Sequence, residues 1–422
     1  MLSSRYQRVV YRSVSLFLNL LLLSELISVS QAQENLWPVE NSANTSSKME
    51  IGKDICSLEP GQSIKNEIKG GESHYYQIHL SVGQFLRVEV DQKGTDLVLI
   101  LLDLDNKQLI RIDTQERTQE PEQLFWVAET TTDYWLIVSP LEGKAKVGSY
   151  EVKLAMLRQA TNQDIDLVAA QKLLVEGSQM QEQETAESQK KAIEKFLESL
   201  PLWQAAGERY WEAYTLFMIG LGYYQLGEHQ QALDYYHQTL PLRQAIDDRL
   251  GEAVILNYLG RIYSDLGEYQ QALDYYHQAL ALRRTLGDHI GEAYTLHLIG
   301  LVYYSLNEYK RALDYYYPAL LLRRSVGIRV GEAYTLSAIG RVYSNLGEYQ
   351  QALNYQQQAL KLRRAVGDRT GEVYTLTYIG YIYKDLGDNQ KALDYYYQAL
   401  SLQRTLGNQK GEIGILLGIA KV

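Results

Sequence analysis

The sequence predicts an α+β multidomain chain: an N-terminal antiparallel β-sandwich followed by an all-α superhelical solenoid. Three observations carry that prediction. Between residues 61 and 157 hydrophobic residues alternate with period two, as in half-buried strands. From residue 208 onward the spacing becomes that of amphipathic helices. A 40-residue register then recurs in three series, Gly220, Gly260, Gly300, Gly340 and Gly380, with Tyr223, Tyr263, Tyr303, Tyr343 and Tyr383, and Ala232, Ala272, Ala312, Ala352 and Ala392. A fixed period of that length marks stacked supersecondary units.

Composition narrows the function classes. The 422 residues are 46% hydrophobic and 22% charged, as in an ordinary folded protein. Seven prolines against 35 tyrosines favour long helices with a recurring aromatic position. The single cysteine, Cys56, excludes an intramolecular disulfide framework and any multi-thiolate metal site. A net charge of −10 without basic blocks argues against nucleic acid as a partner. No phosphate-cradling loop, nucleophile elbow or metal-ligand spacing stands out, so neither enzyme chemistry nor a cofactor is expected.

Residues 1–32 read as a secretory signal peptide. Arg5, Arg8 and Arg12 precede the apolar run from Val14 to Leu23, and Ser30 and Ala32 stand two apart, the spacing a signal peptidase accepts. Asn19 and Glu25 interrupt the stretch, which falls short of the ~20 residues a membrane span needs. The expectation is an exported chain, periplasmic or extracellular, with no membrane contact after cleavage. The alternative is a chain tethered by an uncleaved N-terminal anchor. Residues 33–60 have little periodicity and read as a linker, with Cys56 as an incidental thiol.

Within 61–157, Leu86, Val88 and Val90 face one way while Arg87 and Glu89 face the other. The apolar run Leu97 to Leu102 has the look of a strand buried on both faces. About seven short strands follow from such segments. Asp103 and Asp105 begin like a calcium loop, but Gln108 and Thr114 stand where its turn glycine and closing glutamate belong, so a hairpin turn is expected. His74 and His79 are five apart, point to opposite faces of a strand and share no metal. The segments Gly61 to Ile64, Gly70 to Tyr76 and Gly83 to Val88 resemble the pre-peptidase C-terminal-like β-sandwich domain. That resemblance implies a non-catalytic accessory module of exported bacterial proteins.

Residues 162–207 read as an atypical first helical hairpin, 208–410 as five 40-residue units and 411–422 as the start of a sixth. In the second unit Ala253, Leu256, Leu259, Gly260, Tyr263 and Leu266 line one face of a first helix. Gly267 ends that helix in the left-handed cap conformation, and Asn307 takes its place in the third unit. Tyr269, Ala272, Leu273, Tyr276, Ala279 and Leu280 line the second helix. Gly287, Gly327, Gly367 and Gly407 mark its end, with Asp247 as the exception in the first unit. A lone hairpin cannot bury such faces, whereas stacked neighbours can. The tyrosine stripe, Tyr263 included, therefore reads as core. Gln356 replaces the aromatic found at Tyr236, Tyr276, Tyr316 and Tyr396, which predicts looser packing in the fourth unit.

Leu256-x-x-Leu259-Gly260-x-x-Tyr263, with Gly267, Tyr269, Ala272, Tyr276 and Ala279, resembles the tetratricopeptide repeat (TPR). Its long period is similar to that of kinesin light chains and animal spindle-orientation adaptors, which hold extended peptides. The order of segments also resembles bacterial proteins in which a caspase-like (CHAT) protease domain follows the repeats. No cysteine follows Cys56, so the Cys–His dyad of that family cannot be built from the repeats.

The TPR resemblance implies first helices on the concave wall of a solenoid. It places Tyr214, Tyr294, Tyr334 and Tyr374 in one row, with Asn257, Arg261, Arg341, Tyr381 and Lys384 on the same wall. Aromatics and arginines dominate many interfaces, although tyrosines so placed also serve simply to cover seams between helices. The function this implies is a non-enzymatic scaffold binding a protein or extended peptide. The alternative is the regulatory portion of a caspase-like protease system whose catalytic domain lies elsewhere. Leu282-Arg283-Arg284, Leu322-Arg323-Arg324 and Leu362-Arg363-Arg364 read as complements to helix dipoles, or as a surface for an anionic partner. The apolar last helix lacks a polar cap, which makes self-association through it a further expectation.

Overall fold

The computed structural model describes residues 55–113, 122–141, 147–183, 185–407 and 409–422. The signal peptide, the linker up to residue 54 and Thr114 lie outside the described residues. Two compact units divide at residues 282 and 283.

Among the described residues the first unit opens with nine strands: β1 Ile55–Ser57, β2 Ser63–Ile68, β3 His74–Leu80, β4 Gln84–Lys93, β5 Leu97–Leu102, β6 Gln108–Ile112, β7 Glu122–Val127, β8 Thr132–Pro140 and β9 Gly148–Gln159. They form a five-stranded sheet ordered β1-β3-β8-β5-β6 and a four-stranded sheet ordered β2-β9-β4-β7. Every pairing is antiparallel except β1 with β3. Strand β1 lies within the stretch read as linker, and Cys56 on it is an exposed free thiol. The alternation in β4 has the expected consequence. Leu86, Val88 and Val90 enter a core shared by both sheets, while Arg87 pairs with Glu89 at 3.0 Å on the other face. The Asp103 carboxylate accepts from the backbone N–H groups of Asp105 and Lys107, both at 2.9 Å, and Asn106 takes a φ of 60°. That is a hairpin turn, as the missing calcium ligands require.

Thirteen helices follow among the described residues: α1 Asn162–Gln181, α2 Ala186–Ala206, α3 Arg209–Gln225, α4 His229–Ala245, α5 Arg249–Asp265, α6 Tyr269–Leu286, α7 His289–Ser305, α8 Tyr309–Val326, α9 Arg329–Asn345, α10 Tyr349–Val366, α11 Arg369–Asp385, α12 Asn389–Thr405 and α13 Gln409–Ala420. They form a TPR-like array of helical hairpins. Gly267 and Asn307 end their helices at φ 79° and 59°, and Asp247 adopts 59° where other units use glycine. The recurring glycine and the buried tyrosine turn out to be one contact. A Cβ on Gly260 would lie 2.6 Å from the Tyr276 ring, so only glycine lets the second helix come that close.

Two readings of the repeat need correction. Tyr263 is half-buried, not core: it stacks on Tyr275 with centroids 5.4 Å apart and planes within 5°. The equivalent pairs Tyr223–Tyr235, Tyr303–Tyr315, Tyr343–Tyr355 and Tyr383–Tyr395 repeat that geometry. The fourth unit is not slack at Gln356 either. That side chain is fully buried, accepts from the Ser337 hydroxyl at 3.2 Å and donates to the Ser337 carbonyl at 3.1 Å. A polar residue fits there because both ends of its amide are satisfied.

The β-sandwich is joined to the first helices by an aromatic core. Phe85 and Phe125 turn away from the sheets and meet Trp203 of α2 and Trp211 of α3, with Trp203 and Trp211 stacked at 5.5 Å. The open edge of β7 is closed by a side chain. The Gln171 amide of α1 accepts from the Phe125 N–H and donates to the Gln123 carbonyl, both at 3.0 Å. Trp211 donates to the Gln123 side chain at 2.9 Å, and Arg87 reaches Glu208 at 3.0 Å.

Candidate peptide-binding row on the first helices

The residues expected on the groove wall do lie on first helices, but their burial differs. In the compact unit that ends at Leu282, Tyr214 is buried edge-to-face on Trp211 at 5.9 Å, and Asn257 and Arg261 are buried as well. Arg261 lies 5.3 Å over the Tyr224 ring, and the Tyr224 hydroxyl donates to Asp265 at 3.0 Å. Burial pushes the Asp265 carboxyl up from its ordinary range, against the pull of Arg261 and of the Tyr224 hydrogen bond.

In the compact unit that begins at Arg283, Tyr294, Tyr374 and Tyr381 are half-buried, whereas Tyr334 and Arg341 are buried. The Arg363 guanidinium lies 4.7 Å over the Tyr334 ring, so Tyr334 covers a seam. Arg341 lies between two rings, Tyr304 at 4.8 Å and Tyr378 at 5.4 Å, and Asn345 donates to the Tyr304 hydroxyl at 2.7 Å. Tyr381 meets Tyr378 and Tyr396 edge-on, and burial pushes its phenol up. Lys384 is half-buried.

The Leu-Arg-Arg ends are latches between successive hairpins, which corrects the reading of them as a free surface for an anionic partner. The first arginine of each pair is buried. Arg283 reaches Asp288 at 2.5 Å, Arg243 pairs with Asp248, and Arg363 sits 3.8 Å from Asp368. The same aspartates cap the next first helix, accepting from the N–H of Gly251, Gly291 and Gly371 at 2.8–2.9 Å. The second arginine binds a glutamate on that helix: Arg284 with Glu292 and Arg324 with Glu332 at 2.7 Å, and Arg364 with Glu372 at 2.6 Å.

Sequence reasoning missed these partners, together with Tyr224, Tyr304, Tyr378 and His297. The aspartates five residues after Arg243, Arg283 and Arg363 were the available signal. His297 is buried against Tyr316, with centroids 5.2 Å apart, and its Nδ1 is 3.4 Å from the Thr335 hydroxyl. Among the described residues no group of three His, Cys, Asp or Glu could hold a metal ion, and no helix is long and apolar enough to cross a membrane.

Hairpins of this length, with Gly220, Gly260, Gly300 and Gly380 each facing a tyrosine ring, meet an independent match. The tetratricopeptide repeat family model fits residues 187–245, 251–325 and 331–405. The chain carries tetratricopeptide repeats. The match begins within α2, so the TPR array extends one helix before the five units; the β region lies outside it. Among solved structures, the apo form of RapI is similar, with a TM-score of 0.51 at 17% identity over 61% of this chain and 70% of that one. The apo quorum sensor NprR from B. thuringiensis gives 0.47 at 17% identity over 60% and 70%. The Rap conjugation gene regulator of plasmid pLS20, in complex with the Phr* peptide, gives 0.45 at 18% identity over 57% and 64%. At these identities the likeness concerns the fold. No curated protein sequence matches the chain.

Proposed function

We propose that this protein is a non-catalytic scaffold whose TPR array holds an extended peptide or a partner protein on the first helices of the compact unit that begins at Arg283. The observation that carries this is the row of half-buried tyrosines, Tyr294, Tyr374 and Tyr381, beside the buried polar side chains His297, Thr335, Ser337, Arg341 and Thr377. Rings with one apolar face and a hydroxyl, held at low entropic cost on rigid helices, are what peptide recognition uses. In the compact unit that ends at Leu282, Tyr214, Asn257 and Arg261 are consumed by internal packing, which supports a seam-covering role for them. The Arg-flanked apolar run at the N-terminus supports export as the setting for this binding.

The test compares binding with folding. The Tyr294→Ala/Tyr374→Ala double variant should lose about tenfold or more of its affinity for captured partners, while its melting temperature falls only slightly. Equal loss of both would return these tyrosines to seam-filling.

A further inference from the structure

Helix α13 meets the rest of its unit through glycines. A Cβ on Gly418 would lie 3.0 Å from the Tyr396 ring, one on Gly411 would strike the Gln403 amide, and Ile415 between them is buried. Arg404 reaches Glu412 at 3.3 Å, and Asn389 donates to the Val422 carbonyl at 3.2 Å. The bulky side chains point the other way. Ile413 is 59% exposed, and Leu416 and Leu417 are each 44% exposed. With the exposed Ala420 they fall at i, i+3, i+4 and i+7, one apolar stripe along the helix.

In the five preceding units the same register positions are closed. Leu216, Leu256, Leu296, Leu336 and Leu376 are at most 3% exposed, and the glycine in register with Ala420 receives a side chain of the second helix, as Gly380 receives Tyr396. On α13 this face is open and differently built. Ile413 stands where the array has alanine or, at Val373, valine. Ala420 carries the Cβ that on Gly380 would come within 2.7 Å of the ring. Leu417 follows Asn257, His297, Ser337 and Thr377 in register, an aliphatic residue after four polar ones. A ring-bearing second helix of the array's own kind cannot lie at its usual distance on such a stripe. Aliphatic knobs at heptad spacing can interlock with a stripe like themselves.

We propose that the stripe of Ile413, Leu416, Leu417 and Ala420 is a homodimer interface, covered by α13 of a second copy in antiparallel register. A two-fold axis between Leu416 and Leu417 sets Ile413 of each copy against Ala420 of the other, and Leu416 against Leu417. It also sets Glu412, near the start of the helix, against the exposed Lys421 just past its end. The largest side chain thus faces the smallest, each end charge faces its opposite, and the helix dipoles oppose one another. Parallel helices would instead place Glu412 against Glu412 and Lys421 against Lys421.

Sedimentation equilibrium of the full chain should show a monomer–dimer equilibrium with a Kd of about 1–100 μM and no larger species, as befits a small interface. Leu416→Glu/Leu417→Glu should weaken it about tenfold or more with an unchanged circular-dichroism spectrum, because neither side chain is buried within the copy that carries it. Should that variant lose its helical signal, Lys421→Glu takes its place. It sets like charges at both ends of the pair and should weaken the dimer about threefold or more at low salt, and less at high salt. Register is read by oxidative cross-linking in a Cys56→Ser background. Ile413→Cys/Ala420→Cys should join two chains, whereas Ile413→Cys alone should not, since the two substituted positions stand about 10 Å apart along the paired helices. A chain that is monomeric at every concentration overturns the proposal, as does a dimer that withstands the charge-bearing variants. Cross-linking through Ile413→Cys alone overturns it too, because that requires parallel helices.

Discussion

Tyr236, Tyr276, Tyr316 and Tyr396 disappear from solvent beneath the glycines of the facing helices, whereas Tyr223, Tyr263, Tyr303, Tyr343 and Tyr383 lie half-buried, each face to face with a second tyrosine. The two columns belong to the same hairpins and share one residue type. What separates them is the residue opposite. Glycine admits a ring into the helix crossing, while a facing tyrosine holds its partner at stacking distance near the rim. Depth in this array is therefore decided by the smallest side chain in the contact, not by the largest.

The comparison can be broken most directly at the deep column. Tyr276→Ala leaves a ring-sized void under Gly260 and should cost about 3–5 kcal/mol in urea melts. A cost near that of a surface change would merge the two columns. Gln356→Leu should cost about 1–3 kcal/mol, because the buried Ser337 hydroxyl and carbonyl lose their amide. A neutral outcome would show that the deep column needs only volume there. Acid should act on the deep column as well, through His297 against Tyr316. Its folded-state pKa is depressed, so the unfolded chain binds the extra proton. That contribution to stability is complete above the ordinary imidazole range and falls as pH drops below about 6.5, with a slope of at most about 1.4 kcal/mol per pH unit. His297→Gln should flatten that part of a thermal-melt profile between pH 7.5 and 5.5. The smallest effect belongs to the rim: Tyr263→Leu removes one stacked pair and should cost about 0.5–1.5 kcal/mol.

The repeats were legible because their period reports a contact made again and again, and a residue type under that constraint recurs in register. The strands were legible for the same reason at a shorter period. What stayed hidden depends on neighbours distant in sequence. Nothing local to Gln123, Phe125, Gln171 or Trp211 announces that sandwich and helices meet through them. The rows on the first helices were located, but not their depth. Tyr334 is covered by Arg363 from the far end of the next helix, and Arg341 by rings from the preceding and following hairpins. The arginine pairs were visible as charges, and their partners were missed because a helix-end cation already has a sufficient local explanation.

The Gln171 amide does for β7 what a tenth strand would do, lending one donor and one acceptor to an otherwise open border. A helix that impersonates a sheet neighbour leaves no hinge at that seam. The sandwich and the opening hairpins should consequently melt together, and severing the backbone near Ala160 should release a sticky aromatic wound on both pieces rather than two self-sufficient parts.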